Sequence, residues 1–474
     1  MRINNFNVPG VILDRNPEFV EFYQTAWKLA ADHIQDLPGL PVVRHMDEAC
    51  DPLRLWLWDT CLMVHFCKYA PKDFPGIESL DNFYLPLLDG VKSSCLIHHP
   101  DNPPLMAWTE YEYWRFTGDG SRLHRNLVEK KYLQRHYEYM ENLRTGDKFS
   151  CSYVQANFHK TERGYMWSGI ASGMDNTPRG EDMHCNILWL DALAQMALSA
   201  LYIAKMAAAI GETSIEEEYT AKYQEQVKLL NESYFDERDG CYYDLWIANY
   251  EQARILTPAS FWPLLAEAAS QERAERQIAV LRDPELLGGE IPIATVARNS
   301  PFFDPDGRYW RGSIWLPTTY MVMRALVKYG KLDLAAELAE QTVSHMESTY
   351  RNFSPSTIWE CYSPTKPEPA LTGRGDGFVR LDFCGWSALG PISMLIENIL
   401  GFHDVDAMER VVKYHCRPIG RHGITDLCFG DVRCDIILEN DGNIHVKTNA
   451  PFDLELDGKR IPCPAGTSIV PGMR

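Results

Sequence analysis

No stretch of this chain approaches 18 uninterrupted apolar residues, and its opening, MRINNFNVPG, lacks the apolar centre of a secretory leader. The expectation is a protein that is neither exported nor membrane-spanning. Cysteine occurs 13 times but never at C-x-x-C spacing or in a Cys/His cluster with zinc geometry. That excludes a zinc site of the usual kind, and free thiols in a reducing cytoplasm fit better than a disulfide framework. Positive charge is the minority sign, with 46 Lys and Arg against 65 Asp and Glu and a net charge of −19. Such a surface repels phosphate backbones and anionic lipid, so nucleic acid and membrane are set aside as partners. The acidity is spread along the chain without forming a tail, as suits solubility.

What the sequence does have is helical periodicity, from its first residues to about position 402. The stretch CNILWLDALAQMALSALYIAKMAAAI (185–210) is apolar nearly all round, as in a helix buried on every side. Gly211 ends it, and Ser214 with Glu217 reads as a capping box for the next helix. That helix carries Ile215, Tyr219, Tyr223, Val227, Leu230 and Tyr234 at steps of three and four, so it buries one stripe. The same turn from one helix to the next recurs at Gly118 and Gly330. About twelve helical segments, or six hairpins at irregular spacing, argue for a closed ring of inner and outer helices rather than a solenoid. Beyond residue 402 the pattern changes to alternating strands, with hairpin signals at Asp441-Gly442 and Asp457-Gly458. Residues 1–402 therefore read as one helical domain and 403–474 as a small β appendage.

Five segments interrupt the helices with polar and aromatic residues together: LWLWDTC (55–61), PGIESLDNFY (75–84), GMDNTPR (173–179), RYWRGSIWLP (308–317) and STIWECYSP (356–364). Seven of the 13 tryptophans, Trp56, Trp58, Trp167, Trp310, Trp315, Trp359 and Trp386, fall in or beside such segments. In a ring of hairpins, loops at one end of the inner helices converge on the axis, so these segments can share a pocket with flat apolar walls. Asp175 and Glu360 are the acids suited to chemistry there. Cleaving a glycosidic bond takes one carboxylic acid for the leaving oxygen and one carboxylate to direct water or attack the sugar. Other residues have plainer readings. Asp81 and Asn82 suit a helix cap, Arg179 either braces the Asp175 loop or touches sugar, and the adjacent His98 and His99 point apart and make a poor metal pair.

The ordered set WDT, GMDNTPR, YWRGSIW and WECYSP resembles the signature segments of glycoside hydrolase family 63 and of its relative trehalase, across about residues 50–400. The bacterial mannosylglycerate and glucosylglycerate hydrolases of that family are nearest in size. The resemblance implies an all-α (α/α)6 toroid and an inverting hydrolase of α-linked sugars, needing no cofactor and no metal, with Asp175 as general acid and Glu360 as general base. It places Trp58 and Asp59 on the glycone and Arg311 and Trp315 in the same pocket. Asn176, Arg179, Trp310, Trp359, Tyr362 and Trp386, lying in or beside these segments, complete the expected sugar contacts. The amino-terminal β-sandwich of many family 63 members is not expected within the residues before 17, and the carboxyl-terminal appendage is expected instead. The expected partner is a disaccharide or small glycoside. Two other classes stay open: a sugar 2-epimerase on the same kind of toroid, which would use histidines, and a carbohydrate-binding protein without turnover.

Overall fold

The helix Leu190–Ile210 is buried on all sides as far as Ala207 except at Lys205, because its sequence offers almost no polar face to water. The outer helix Thr213–Leu229 packs along it, turned back by Gly211 at a φ of 79°. Tyr219 and Gln226 are buried, and Ile215, Tyr223 and Val227 are half-buried against the core. Ser214 does not cap this helix. Its N-cap is Glu212, which makes no side-chain cap bond, so the expected capping box with Glu217 does not form.

This description rests on a computed structural model that describes residues 1–472 except 4, 5, 49, 50, 52 and 457. Six inner segments form a closed ring, each touching the next: Leu57–Cys67, Met106–Thr117, Leu190–Ile210, the consecutive short helices Pro258–Phe261 and Trp262–Leu265, Leu316–Lys328, and the π-helical Gly390–Ile399. Outer helices alternate with them along the chain: Pro17–Asp32, Asp81–Leu88, Tyr132–Asn142, Thr213–Leu229, Gln271–Ile278 and Leu332–Asn352. This is an (α/α)6 toroid. Gly118 and Gly330 sit at the expected turns with φ values of 73° and 68°.

Besides six small sheets of two or three strands, the described residues form two larger ones. One is antiparallel and orders Gly466–Pro471, Asn443–Thr448, Val432–Leu438, His422–Phe429 and Gly10–Leu13. The other orders Asp404–Asp406, Val411–Tyr414, Phe452–Leu456 and Lys459–Cys463, with its central pair parallel. Strand residues alternate between buried and half-buried, and Phe429 meets Phe452 across the sheets at 5.9 Å. Asp441-Gly442 makes the expected hairpin turn, whereas Asp457 lies outside the described residues. The strand Gly10–Leu13 pairs with His422–Thr425, so the division of the sequence at residue 402 is crossed by the amino-terminal segment.

Candidate active site

Two inner helices, Leu57–Cys67 and Leu316–Lys328, begin at one end of the ring, each preceded by an extended tryptophan, Trp56 and Trp315. Their N-termini bring the positive ends of two helix dipoles to an axial cavity of about 150 Å³, where acidic groups gather. Its aromatic wall is a connected set. Trp310 stacks on Trp315 with ring centroids 4.0 Å apart, Trp386 lies 5.5 Å from both Trp315 and Trp58, and Trp58 is 6.2 Å from Trp310.

The loop carrying Asp175 is pinned on several sides. Ser168 caps the turn Gly169–Ser172 by accepting from the Ala171 N–H, and Asn102 Nδ2 donates to the Ala171 carbonyl at 2.9 Å. Gly173 follows at a φ of 79°, where a Cβ would lie 2.5 Å from the Trp58 ring, so a bare, left-handed residue lets that indole approach. Asn176 then binds the neighbouring motif, donating to the Arg308 carbonyl at 3.0 Å and accepting from the Trp310 N–H at 2.8 Å. Arg179 is 1% exposed and fully committed, to Asp191 and Asp244 at 2.6–2.9 Å. Held this way, Asp175 opens into the cavity while the protein crowds it from behind. That desolvation, and next the charge of Glu360, push its carboxyl up to about 7.

Glu360 is buried in the same cavity. Its Oε1 accepts from the Tyr309 hydroxyl at 2.9 Å and its Oε2 from the Arg380 N–H at 3.3 Å. Backbone bonds set its position: Glu360 N–H donates to the Arg380 carbonyl, and Trp386 Nε1 donates to the Glu360 carbonyl, each at 3.0 Å. Burial raises its pKa, and the Arg380 charge and these two hydrogen bonds to its carboxylate oppose the rise. Asp59, in the first turn of Leu57–Cys67, is 3% exposed and held well above the usual carboxylate range by burial and by the charges of Glu360 and Asp175.

Of the expected residues, Asp175, Glu360, Trp58, Asp59, Trp310, Trp315 and Trp386 line the cavity. Five do not. Asn176 and Arg179 brace the loop as described, and Arg311 pairs with Glu181 at 2.7 Å and with Asp182. Tyr362 is buried with its hydroxyl accepting from the Trp359 N–H, and Trp359 packs on Phe353 and Phe378. These five belong to the same motifs but lie outside the lining of this cavity, and for Arg179 that is the bracing alternative. The segment 75–84 also stays out of the cavity: Asp81 pairs with Arg122 and Arg125, and Asn82 Oδ1 accepts from the Val42 N–H. Neither residue caps a helix with its side chain.

Glu48, Arg54, His98, His99, Tyr309 and Arg380 line the cavity without having been assigned there from the sequence. Tyr309 lies inside the segment RYWRGSIWLP, whereas Arg380 and Glu48 carry no local signal. Among the described residues no three of His, Cys, Asp and Glu gather in a way that could hold a metal ion.

The ring and its paired carboxylates point to one class, the glycoside hydrolases. Residues 98–378 match the family described as the mannosylglycerate hydrolase MGH1-like glycoside hydrolase domain, and the chain belongs to that family. The mannosyl-oligosaccharide glucosidase of Saccharomyces cerevisiae is 28% identical over 297 residues, covering 57% of this chain and 34% of its own length, so the chain spans about a third of that relative. The crystal structure of the family 63 mannosylglycerate hydrolase from Thermus thermophilus in complex with Tris superposes with a TM-score of 0.57 at 17% identity, covering 78% of this chain and 99% of its own. A sialidase structure matches 98% of this chain, β part included, with a TM-score of 0.70 at 13% identity, over 40% of its own chain. The chain thus carries a glycoside hydrolase domain of that family, on a fold shared with the family 63 mannosylglycerate hydrolase structure.

Proposed function

We propose that the protein is an inverting hydrolase that removes a terminal α-linked glucose or related sugar from a disaccharide or small glycoside, with Asp175 as general acid and Glu360 as general base. The observation that carries this reading is the unequal pair in one cavity. Desolvation, and next the charge of Glu360, hold the Asp175 proton to about pH 7, while at Glu360 burial raises the carboxyl and Arg380 and the Tyr309 hydroxyl oppose that rise. In the reaction Asp175 gives its proton to the glycosidic oxygen as the bond to the anomeric carbon breaks. Water attacks that carbon from the opposite face and loses its proton to Glu360. The tryptophan wall offers flat apolar surface to the sugar ring. The α-glucoside assignment leans on the yeast relative, a glucosidase by name.

The test is stereochemical. Proton NMR of an α-glucoside digest should reveal the β-anomer first, before mutarotation, and initial release of the α-anomer would remove Glu360 from the role of base. The 2-epimerase reading gains something from the cavity, since His98 and His99 both line it. Burial and the neighbouring His99 hold His98 down at about 4, which suits a neutral ring rather than an acid. Incubation with free glucose and mannose should yield no C2 epimer.

A further inference from the structure

Many buried carboxylates among the described residues have cationic partners. Asp191 and Asp244 hold Arg179, Glu110 holds Arg122, and Glu112 and Glu397 share Lys68 and Arg324. Among the same residues Glu48 has no such ion pair, although the Arg380 charge acts on it. It lines the axial cavity and is 1% exposed, yet among the described residues neither of its carboxyl oxygens finds a hydrogen-bond partner. Asp59 Oδ2, in the same wall, is equally bare. A buried polar atom without a partner costs folding free energy, so such atoms persist where something outside the chain satisfies them. Room for Glu48 is made by Gly385, the residue before Trp386, where a Cβ would fall 2.6 Å from the Glu48 Cβ.

We infer that Glu48 is a specificity-determining residue of the sugar-binding cavity, where it and Asp59 bind adjacent free hydroxyls of a terminal, neutral sugar. The inference rests on the hydrolase reading for its choice of a sugar, and it adds which wall reads the hydroxyls. Burial, with the neighbouring charges of Asp47 and Asp59, raises Glu48 well above the usual carboxylate range. A neutral carboxyl presents one donor and acceptor capacity together, which is what a hydroxyl group pairs with. A cation or ammonium group would instead need the ionised form.

The experiment is calorimetric binding of D-glucose, D-mannose and their monodeoxy forms to the wild type, Glu48→Met and Glu48→Gln. Glu48→Met should keep or raise the melting temperature, because it removes bare polar atoms from the interior. It should weaken the preferred sugar about ten- to a hundredfold. One monodeoxy sugar should bind worse than its parent to the wild type but equally to Glu48→Met, which identifies the hydroxyl that Glu48 reads. Glu48→Gln, which keeps a donor and an acceptor, should stay within a few-fold of wild type. Unchanged binding in Glu48→Met, a uniform loss for every sugar together with a lowered melting temperature, or no sugar binding by the wild type would each overturn the inference. Turnover of α-glucosyl fluoride is scored separately: binding with this pattern but no fluoride release would sink the hydrolase reading and leave Glu48 standing.

Discussion

At the scale of residues, Asp175 and Glu360 differ in what surrounds them, and their variants should differ accordingly. Asp175→Asn and Glu360→Gln should each lower kcat by about 10²–10⁴-fold, the range of positioned acid–base catalysis. A glycoside with a leaving group of low pKa should partly restore Asp175→Asn, whose missing proton it no longer needs, and should do nothing for Glu360→Gln. Steady-state kinetics on aryl and alkyl glycosides decide this, and equal rescue of both would dissolve the role assignment. In the wild type, kcat/KM should fall as pH rises through about 7, where Asp175 loses its proton. The same shift bears on stability. The folded-state pKa of about 7 lies above the ordinary value of 3.8, so between those values the folded chain holds a proton that the unfolded chain has lost, and stability falls as pH rises through that window. Asp175→Asn escapes this loss. Its melting temperature relative to wild type should climb between about pH 4 and about pH 8, and a difference constant with pH would mean that Asp175 titrates as a surface aspartate. Both acids could be read from the sequence because each stands in a polar, aromatic motif between helices. Arg380 could not, since its backbone approach to Glu360 is made by tertiary pairing. The bracing role of Arg179 was legible as one of two readings but its partners were not: Asp191 and Asp244 lie 12 and 65 residues away.

At the scale of elements, the hairpins were legible because inner and outer helices differ in how many of their faces are apolar, and because glycine marks the turns at 118, 211 and 330. Their ends were less so. A Ser and a Glu three residues apart fit the capping box, yet the helix begins at Thr213, ahead of Ser214. The loop before Asp175 shows what such local details hold in place. Gly173 and Gly211 share a φ of 79°, so alanine at either should cost about 1–2 kcal/mol of backbone strain. At Gly211 nothing lies within 4 Å of the added methyl, whereas at Gly173 the Trp58 ring stands at 2.5 Å. Gly211→Ala should therefore lower the melting temperature and leave kcat/KM alone. Gly173→Ala should lower both, by moving Trp58 or the Asp175 loop. Equal activity in the two variants would show that the contact between Trp58 and the loop does not position the acid.

At the scale of the whole molecule, the inner helices carry different groups at their two ends. Leu57–Cys67 and Leu316–Lys328 start at the cavity with Trp58, Asp59 and Trp315, and toward their far ends lie Lys68 and Arg324, bonded with Glu112 and Glu397 in a buried cluster. That cluster touches the β part directly, since Arg324 Nη1 donates to the His403 carbonyl at 2.8 Å. Arg115 adds a bridge, pairing with Asp404 at 2.9 Å and Asp406 at 2.8 Å, and Phe402 stacks on Tyr414 at 4.6 Å. The amino-terminal strand Gly10–Leu13 completes one sheet from the other end of the chain, and one apolar cluster runs without a break from Ile3 to Val470. From composition alone the change at residue 402 looks like a border between two domains, because strand and helix periodicities differ and pairing between distant segments leaves no local trace. We propose that these contacts make it a seam inside one cooperative unit. Scanning calorimetry should then give a single unfolding transition whose van't Hoff enthalpy equals the calorimetric one. A chain ending at residue 402 should fail to fold, since it leaves Arg115 without its carboxylates and the Gly10–Leu13 edge without its sheet. Two resolved transitions, or a soluble and cooperatively melting 1–402 fragment, would mean that the toroid stands alone and the sheets are an attachment.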